Sequence, residues 1–379
     1  MDSHDLIECN RKKDYSFSVI TVTYNCVKTI KKTIESVIVQ KYPKIEYIII
    51  DGDSTDGTKE IIKRYASELS FWISESDLGI YNAMNKGIQY ATGDIVCFIN
   101  GDDYYVDDSV FNQVNREFQE SRTDIVANRV YYKGKAMGAI NIKKLDELPY
   151  TMVFPHQGIF VRRELFIEIG LFNENYRIAA DYDWILRAYN EHKSFEVYEY
   201  IVALFSPNGV SDSTACFVEQ CEISIRNMRK EGKYSLIPER KDTCIDAIRI
   251  FLLLKSLKTN KNCLDFIFKE NRKCSIWGIG NYGQRFYEYA EMSEIRIVSC
   301  IDSGCKVDEQ YFHTIPVTKY NSSKVTYPII ITTTKYDKEI SLFLEKRGKI
   351  REKDFYSIRD IAKRIVADDT DAILKVRRL

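Results

Sequence analysis

The sequence carries no net charge: 55 lysines and arginines stand against 55 aspartates and glutamates in 379 residues. That balance excludes the single-signed field that gathers nucleic acid or adsorbs a whole protein to a membrane, so charged partners must be met locally. No C-x-x-C pair occurs among the ten cysteines. The closest spacings, Cys216 with Cys221 and Cys300 with Cys305, lack the histidines that would complete a zinc site, and all are read as reduced thiols. Apolar runs such as Ile250 to Leu254 fall far short of the ~20 residues that cross a bilayer. Met1 to Asp14 is polar and charged, without the apolar stretch of a secretory signal, so the chain is expected in the cytosol.

What the sequence does have is 45% hydrophobic and 13% aromatic residues, enough to bury a sizeable core over two or more domains. From Phe17, short β-branched runs alternate with amphipathic stretches: FSVITVT, VKTIKKTIESVIVQ, IEYIIID, TKEIIKRYASEL, FWISES, NAMNKGIQYA and DIVCFIN. This alternation predicts parallel strands joined by helices in an open α/β sheet, whose ligands sit beyond the carboxyl ends of the strands. Those ends read Thr23-Tyr24-Asn25, Asp51 to Gly57, Ser74 to Asp77, and Asn100-Gly101-Asp102-Asp103. Several carboxylates thus gather on one rim, an arrangement that costs stability until a cation joins them.

Adjacent Asp102 and Asp103, just past a buried strand, offer the hard oxygen ligands that Mg²⁺ or Mn²⁺ prefers, with donor phosphates and water completing the shell. Asp51 ends a strand of isoleucines, where its carboxylate can accept from a base N–H or ribose hydroxyls. Asp53, Ser54, Thr55 and Asp56 also suit helix initiation, and Ser54 and Asp56 are assigned to capping.

The ordered motifs VITVTYN, YIIIDGDSTDGT, ISESDLGIYNAMNKGIQYATGDIVCFINGDD and PHQGIFVRRELFIEIGLFNENYRIAADYDWILRA resemble family 2 glycosyltransferases of GT-A fold, of the colanic-acid and capsular-polysaccharide type. The resemblance runs from about Phe17 to about Ser213. It implies an inverting, metal-dependent transfer from a nucleotide-diphospho-sugar, UDP being the expected carrier, to a hydroxyl of a glycan or lipid-linked precursor. By position it implies Asp103 as main metal ligand with Asp102 beside it toward ribose or metal. Thr23, Tyr24, Asn25, Asp51, Asp53 and Asp77 would line the nucleotide pocket, with Asn85 and Lys86 facing the donor. Asp181 would be the catalytic base, and His156, Gln157 and Arg187 would lie on the acceptor side, Arg187 supporting the base's helix or the diphosphate. Two departures stand out: Gly52 replaces the second acid of a frequent Asp-Asp, and Ala180 the first of a frequent Glu-Asp, leaving Asp181 and Asp183 as neighbouring candidates. Two apart on a helix, only one can point into the cleft, and Asp181 is chosen.

The expected organisation is an arm over 1–14, the transferase domain over 15–215, a helical linker or subdomain over 216–272, a doubly wound Rossmann-like accessory domain over 273–362, and a tail over 363–379. Between 240 and 273 nine basic residues face four acidic ones around IRIFLLLKSL. Two readings stand: a packed helix with a solvated basic face, or peripheral contact with an anionic leaflet on the inner side of a membrane. In the accessory domain Gly278, Gly280 and Gly283 form a dinucleotide-type turn with Asp302 about 20 residues on. No hydride-transfer site accompanies it, so NAD is not assigned, and a regulatory, sugar-nucleotide or docking role stays open. The rival functions are a sugar-nucleotide-binding regulator without turnover and a bifunctional protein with an NAD-dependent C-terminal half.

Overall fold

The computed structural model describes residues 13–132, 145–205, 213–268, 272–279, 281–301, 310–318, 327–333, 336–367 and 370–379. The chain divides into two compact units, Met1–Tyr234 and Ser235–Leu379.

The first unit realises the expected alternation as β1 (Phe17–Thr23), α1 (Ile30–Ile38), β2 (Ile45–Asp51), α2 (Thr58–Arg64), β3 (Phe71–Ser74), α3 (Ile80–Tyr90) and β4 (Ile95–Phe98). Then come β5 (Tyr104–Tyr105), α4 (Val110–Ser121), β6 (Ile125–Tyr132), β7 (Ile159–Arg162), α5 (Leu165–Glu168), α6 (Ala180–Asn190), β8 (Phe195–Phe205) and α7 (Thr214–Lys230). One eight-stranded sheet runs in the order β3-β2-β1-β4-β7-β6-β8-β5. Its β3-β2-β1-β4 half is parallel, whereas β7 is antiparallel to both its neighbours.

Every residue of β1 is buried because helices cover both faces. Side chains alternate across a strand: Ile20 and Val22 join Tyr81, Met84 and Ile88 of α3 in one layer, while Phe17 and Val19 join Ile34 of α1 and Phe111 of α4 in the other. A Cβ at Gly87 would lie 2.5 Å from Ile20 Cγ2, so glycine lets α3 lie directly on β1. Strand order reverses beside β1, with β2 on one side and β4 on the other. That switch point opens a crevice at the carboxyl ends of β1 and β4.

The second unit contains α8 (Ile237–Thr259), α9 (Asp265–Phe268), β9 (Lys273–Trp277), α10 (Asn281–Met292), β10 (Arg296–Ile301), β11 (Gln310–Phe312) and β12 (Ile315–Thr318). It closes with β13 (Ile329–Ile331), α11 (Asp337–Glu345), β14 (Phe355–Ser357), α12 (Ile358–Ile365) and α13 (Asp371–Arg378). Its six-stranded sheet has the order β11-β12-β10-β9-β13-β14, parallel throughout except for β11.

The helical segment expected over 216–272 is not one linker. Helix α7 lies in the first unit, where Ile223 enters the core, and α8 lies in the second. Helical periodicity announces a helix but not what it packs against. Ile250, Leu253, Leu254 and Leu257 of α8 are buried with Phe286, Tyr289 and Ile361, so most of the apolar centre of this segment faces the interior, with Phe251 and Leu252 partly exposed. Among the described residues no helix is long and apolar enough to cross a membrane.

Candidate active site

Four loops at the carboxyl ends of β3, β2, β1 and β4 form the rim. Asn25 and Asp53 adopt left-handed backbone conformations, φ 52° and 64°, which Asn and Asp tolerate better than most residues. Asn25 ties two of these loops together: its N–H donates to Ser54 Oγ (2.8 Å) and its Oδ1 accepts from Thr55 N–H (3.0 Å). Asp51 is fully buried and accepts from Ser54 N–H (3.0 Å), Ser54 Oγ (2.5 Å) and Ser74 Oγ (2.6 Å). Its carboxylate therefore braces the β2 and β3 ends from beneath. Ser54, expected to cap a helix, serves Asp51 and Asn25 instead, while Asp56 accepts from Thr58 N–H at the start of α2 (3.0 Å).

Above this brace the rim is open. Tyr24 is 63% exposed, and Gly52 leaves the space beside Tyr24 and Asp77 that a side chain would fill: its Cβ would come within 2.6 Å of Asp77 Oδ2. Asp77 Oδ1 accepts from Gly79 N–H (2.9 Å), Asp53 pairs with Lys59 (2.5 Å), and Lys86 pairs with Glu75 (2.7 Å) and donates to Ser76 O (3.2 Å). At the switch point itself Thr23 Oγ1 and Asn100 Oδ1 are buried without a hydrogen-bond partner. Orphaned polar atoms at the mouth of a crevice are what a bound polar ligand would satisfy.

The acids after β4 differ from each other. Asp103 is fully buried, and its Oδ2 accepts from the buried Gln157 amide (2.7 Å). Asp102 is partly exposed, and burial raises its carboxyl above the ordinary range, an effect that a backbone hydrogen bond and nearby His156 oppose. Among the described residues no cluster of three or more His, Cys, Asp or Glu side chains forms a cage that holds a metal by protein ligands alone. Magnesium and manganese bound with a diphosphate need no such cage: one or two carboxylates suffice when phosphate and water fill the other positions. The donor set at 102 and 103 fits that mode, with Asp102 the more accessible member.

Across the crevice, α6 begins with ADYD after the N-cap Ala179. Asp181 Oδ1 accepts from Tyr182 N–H (2.9 Å) and lies 2.9 Å from Tyr81 Oη; its Oδ2 lies 3.5 Å from His156 Nδ1. His156 Nε2 is 3.1 Å from Asn100 Nδ2. With that amide donating, the neutral imidazole carries its proton on Nδ1, toward Asp181. Asp183, two residues on, turns away: 4% exposed, it pairs with Arg187 (3.0 Å) and with Arg226 of α7.

Several residues expected to meet ligands are engaged within the protein. Gln157 supports Asp103 rather than facing open space. Asn85 bonds to the Phe172 backbone (3.0 Å) and Glu174 (2.8 Å). Arg187 donates to Asp183 and to the carbonyls of Ile169 (2.6 Å) and Leu171 (2.7 Å), which fastens α6 to the chain after α5. Two residues not expected at the site hold Asp181 in place. Tyr81 is one. Glu219 of α7 is the other, accepting from Arg177 N–H (3.0 Å), Ile178 N–H (2.8 Å) and Ala179 N–H (2.9 Å) at the N-terminus of α6, where negative charge is favoured. Tyr81 lies in the motif GIYNAMNKG, but the contact spans 100 residues and no local spacing announces it.

In the second unit Gly278 has φ +105°, and a Cβ there would lie 3.2 Å from Thr332 Oγ1. A Cβ at Gly283 would lie 2.3 Å from Gly278 O. These glycines permit close packing of the turn against the end of β13. Gly280 and Asp302 lie outside the described residues.

The fold and site define an open α/β sheet with acids on both sides of its switch-point crevice, and comparison with known proteins gives the family. The glycosyl transferase family 2 profile covers residues 18–170. A PGL/p-HBAD biosynthesis glycosyltransferase of Mycobacterium bovis is 30% identical over 190 residues, 49% of this chain and 74% of that one. An uncharacterized glycosyltransferase of Mycobacterium tuberculosis is 32% identical over 177 residues, 45% of this chain and 68% of that one. Among solved structures, S. aureus TarS 1–349 in complex with UDP-GlcNAc gives a TM-score of 0.48 at 18% identity, covering 67% of this chain and 77% of that one. The chain belongs to glycosyl transferase family 2, and it is a glycosyltransferase.

Proposed function

We propose that the first unit moves a sugar from a nucleotide-diphospho-sugar, with UDP as the expected nucleotide, to a hydroxyl of a glycan or lipid-linked glycan precursor, inverting the anomeric centre in a single displacement. Asp181 takes the proton of the incoming hydroxyl. Tyr24, Asp53 and Asp77 meet the nucleoside, and Thr23 offers its free hydroxyl to the ligand at the switch point. Asp103, the expected main ligand, and the more accessible Asp102 would together hold Mg²⁺ or Mn²⁺ with the donor diphosphate. When bound, the ion stabilises the charge that gathers on the departing diphosphate. His156, 3.5 Å from Asp181 Oδ2, helps to orient that carboxylate. The colanic-acid-type subgroup and a Rossmann-like accessory role for the second unit belong to the same proposal, as does any membrane contact, which would use the basic side chains of 240–273.

The observation that supports the reading is the chain of contacts from Asp181 Oδ2 to His156 (3.5 Å) and from His156 to Asn100 (3.1 Å), two residues before Asp102. The test is release of nucleoside diphosphate from UDP-glucose, UDP-N-acetylglucosamine or GDP-mannose with Mn²⁺. Release by the native chain that falls about 10²- to 10⁴-fold in Asp181→Asn supports it; an Asp181→Asn variant as fast as the native chain removes Asp181 from the chemistry.

A further inference from the structure

Tyr81 Oη lies between two acceptors, Ile178 O at 2.7 Å and Asp181 Oδ1 at 2.9 Å. A phenol has one proton to donate, and an amide carbonyl and a carboxylate have none. While Asp181 is ionised, the two compete for that proton, although Oδ1 also accepts from Tyr182 N–H (2.9 Å). The site is otherwise rigid: the tyrosine is buried, its ring packs on Phe172 at 5.6 Å, and the Ile178 peptide is held at its N–H by Glu219.

We propose that Tyr81 is a positioning residue whose hydroxyl proton alternates between Asp181 and the Ile178 carbonyl, following the charge on the base through the transfer step. The proposal rests on the reading of Asp181 as the base. Before transfer the carboxylate is charged and is the stronger acceptor, so Tyr81 donates to Oδ1 and Oδ2 is left to act. The acceptor oxygen then bonds to the anomeric carbon and its proton passes to Oδ2. The bond from that carbon to the diphosphate breaks, and the pair leaves on the nucleoside diphosphate. Asp181 is now neutral, the amide carbonyl is the better acceptor, and the Tyr81 proton turns to Ile178 O. Loss of the Asp181 proton to solvent resets the pair. Each state thus has its own hydrogen bond, and no backbone moves.

The phenol itself does not titrate in this cycle: burial, then the charge of Asp181, holds it well above its ordinary value. The other ionisable groups around the pair are occupied elsewhere or stand on its other side. Glu219 takes three backbone N–H groups, Asp183 is held by Arg187 and Arg226, and Glu174 is bound by Asn82 and Asn85. His156 faces Oδ2, and the Cys216 thiol is buried on α7.

The experiment follows nucleoside diphosphate release from the three donors named above, with saturating Mn²⁺ and water as acceptor, from about pH 5 to about pH 9. Tyr81→Phe removes the bond to the carboxylate in the charged form and the weaker bond to Ile178 O in the neutral form; because the charge-assisted bond is the stronger loss, the acid-side midpoint of kcat is expected to rise by about one pH unit, with most of the rate regained about two units above it. Donor KM is expected to stay within about two-fold, since Tyr81 does not touch the rim, and this reports that the pocket has kept its fold. 3-Fluorotyrosine at position 81, a stronger donor of nearly the same shape, is expected to move the midpoint down. A midpoint unmoved by both changes, with the rate uniformly lowered or unaltered, overturns the role of Tyr81 and leaves Asp181 as base untouched. No release by the native chain from any donor at any pH would sink the proposed function and this proposal together.

Discussion

Both units place their first strand at a reversal of strand order. β1 lies between β2 and β4, and β9 lies between β10 and β13. Topology therefore offers a crevice twice. In the first unit its walls end in Thr23, Asn100 and Asp102; Thr23 Oγ1 and Asn100 Oδ1 are buried without a partner, and a Cβ at Gly101 would lie 2.5 Å from that threonine oxygen. In the second, Thr332 donates into the turn at Gly278 O (2.5 Å) and Gly283 packs against the same carbonyl. The comparison teaches that a switch point is an opportunity: in the first unit polar side chains with unsatisfied atoms end the strands, whereas in the second the described residues show a glycine turn packed on Thr332.

Substitutions in the two units sharpen the contrast. The largest effect is expected from Asp183→Ala. It removes the buried acid shared by Arg187 and Arg226, whose own side chains are partly exposed, a loss of about 1.5–3 kcal/mol that calorimetry would read as a fall in the melting temperature of the first unit. A stability within about 1 kcal/mol of native would mean that this acid is no structural anchor and would reopen the choice between 181 and 183. Next comes Gly283→Ala. Its methyl would press on Gly278 O, destabilising the second unit by about 1–3 kcal/mol while donor turnover by the first unit continues. Retained stability would show that the turn is looser than its packing implies.

Smaller effects come from the start of α12, where Ser357 and Asp360 form a reciprocal capping box. Ser357→Ala should cost about 1 kcal/mol in denaturant unfolding. Asp360 also senses pH: burial opposes its charge, but Arg351 and Ser357 outweigh burial and hold its carboxyl below the ordinary range. Its contribution to stability is thus full above the ordinary carboxylate range and is lost as pH falls through the lowered value. Asp360→Asn should flatten that acid limb of the stability profile, and an unchanged limb would assign it to other carboxylates.

Much of this architecture is legible in the sequence because the physics there is local. FSVITVT and IEYIIID coincide with β1 and β2, since continuous β-branched runs suit strands covered on both faces. The rim, too, could be read from the polar residues that close those runs. What could not be read is which polar groups are taken. Asp51 looks like a ligand contact until Ser54 and Ser74 converge on it, and Asn85 looks donor-facing until Phe172 and Glu174 claim its amide. Ser54 is three residues from Asp51, but Ser74, Phe172 and Glu174 are brought in only by the fold. The same holds for α7: its periodicity predicts a helix, but Glu219 at the N-terminus of α6 and Arg226 on Asp183 make it part of the first unit's site rather than a linker.

The central claim is that the first crevice takes a nucleoside diphosphate with a divalent ion at Asp102. Titration calorimetry of UDP into the native chain and into Asp102→Asn, each with and without Mn²⁺, tests it directly. The account predicts binding by the native chain that strengthens at least about ten-fold with Mn²⁺, a gain that Asp102→Asn abolishes. Equal affinity in all four titrations would contradict it.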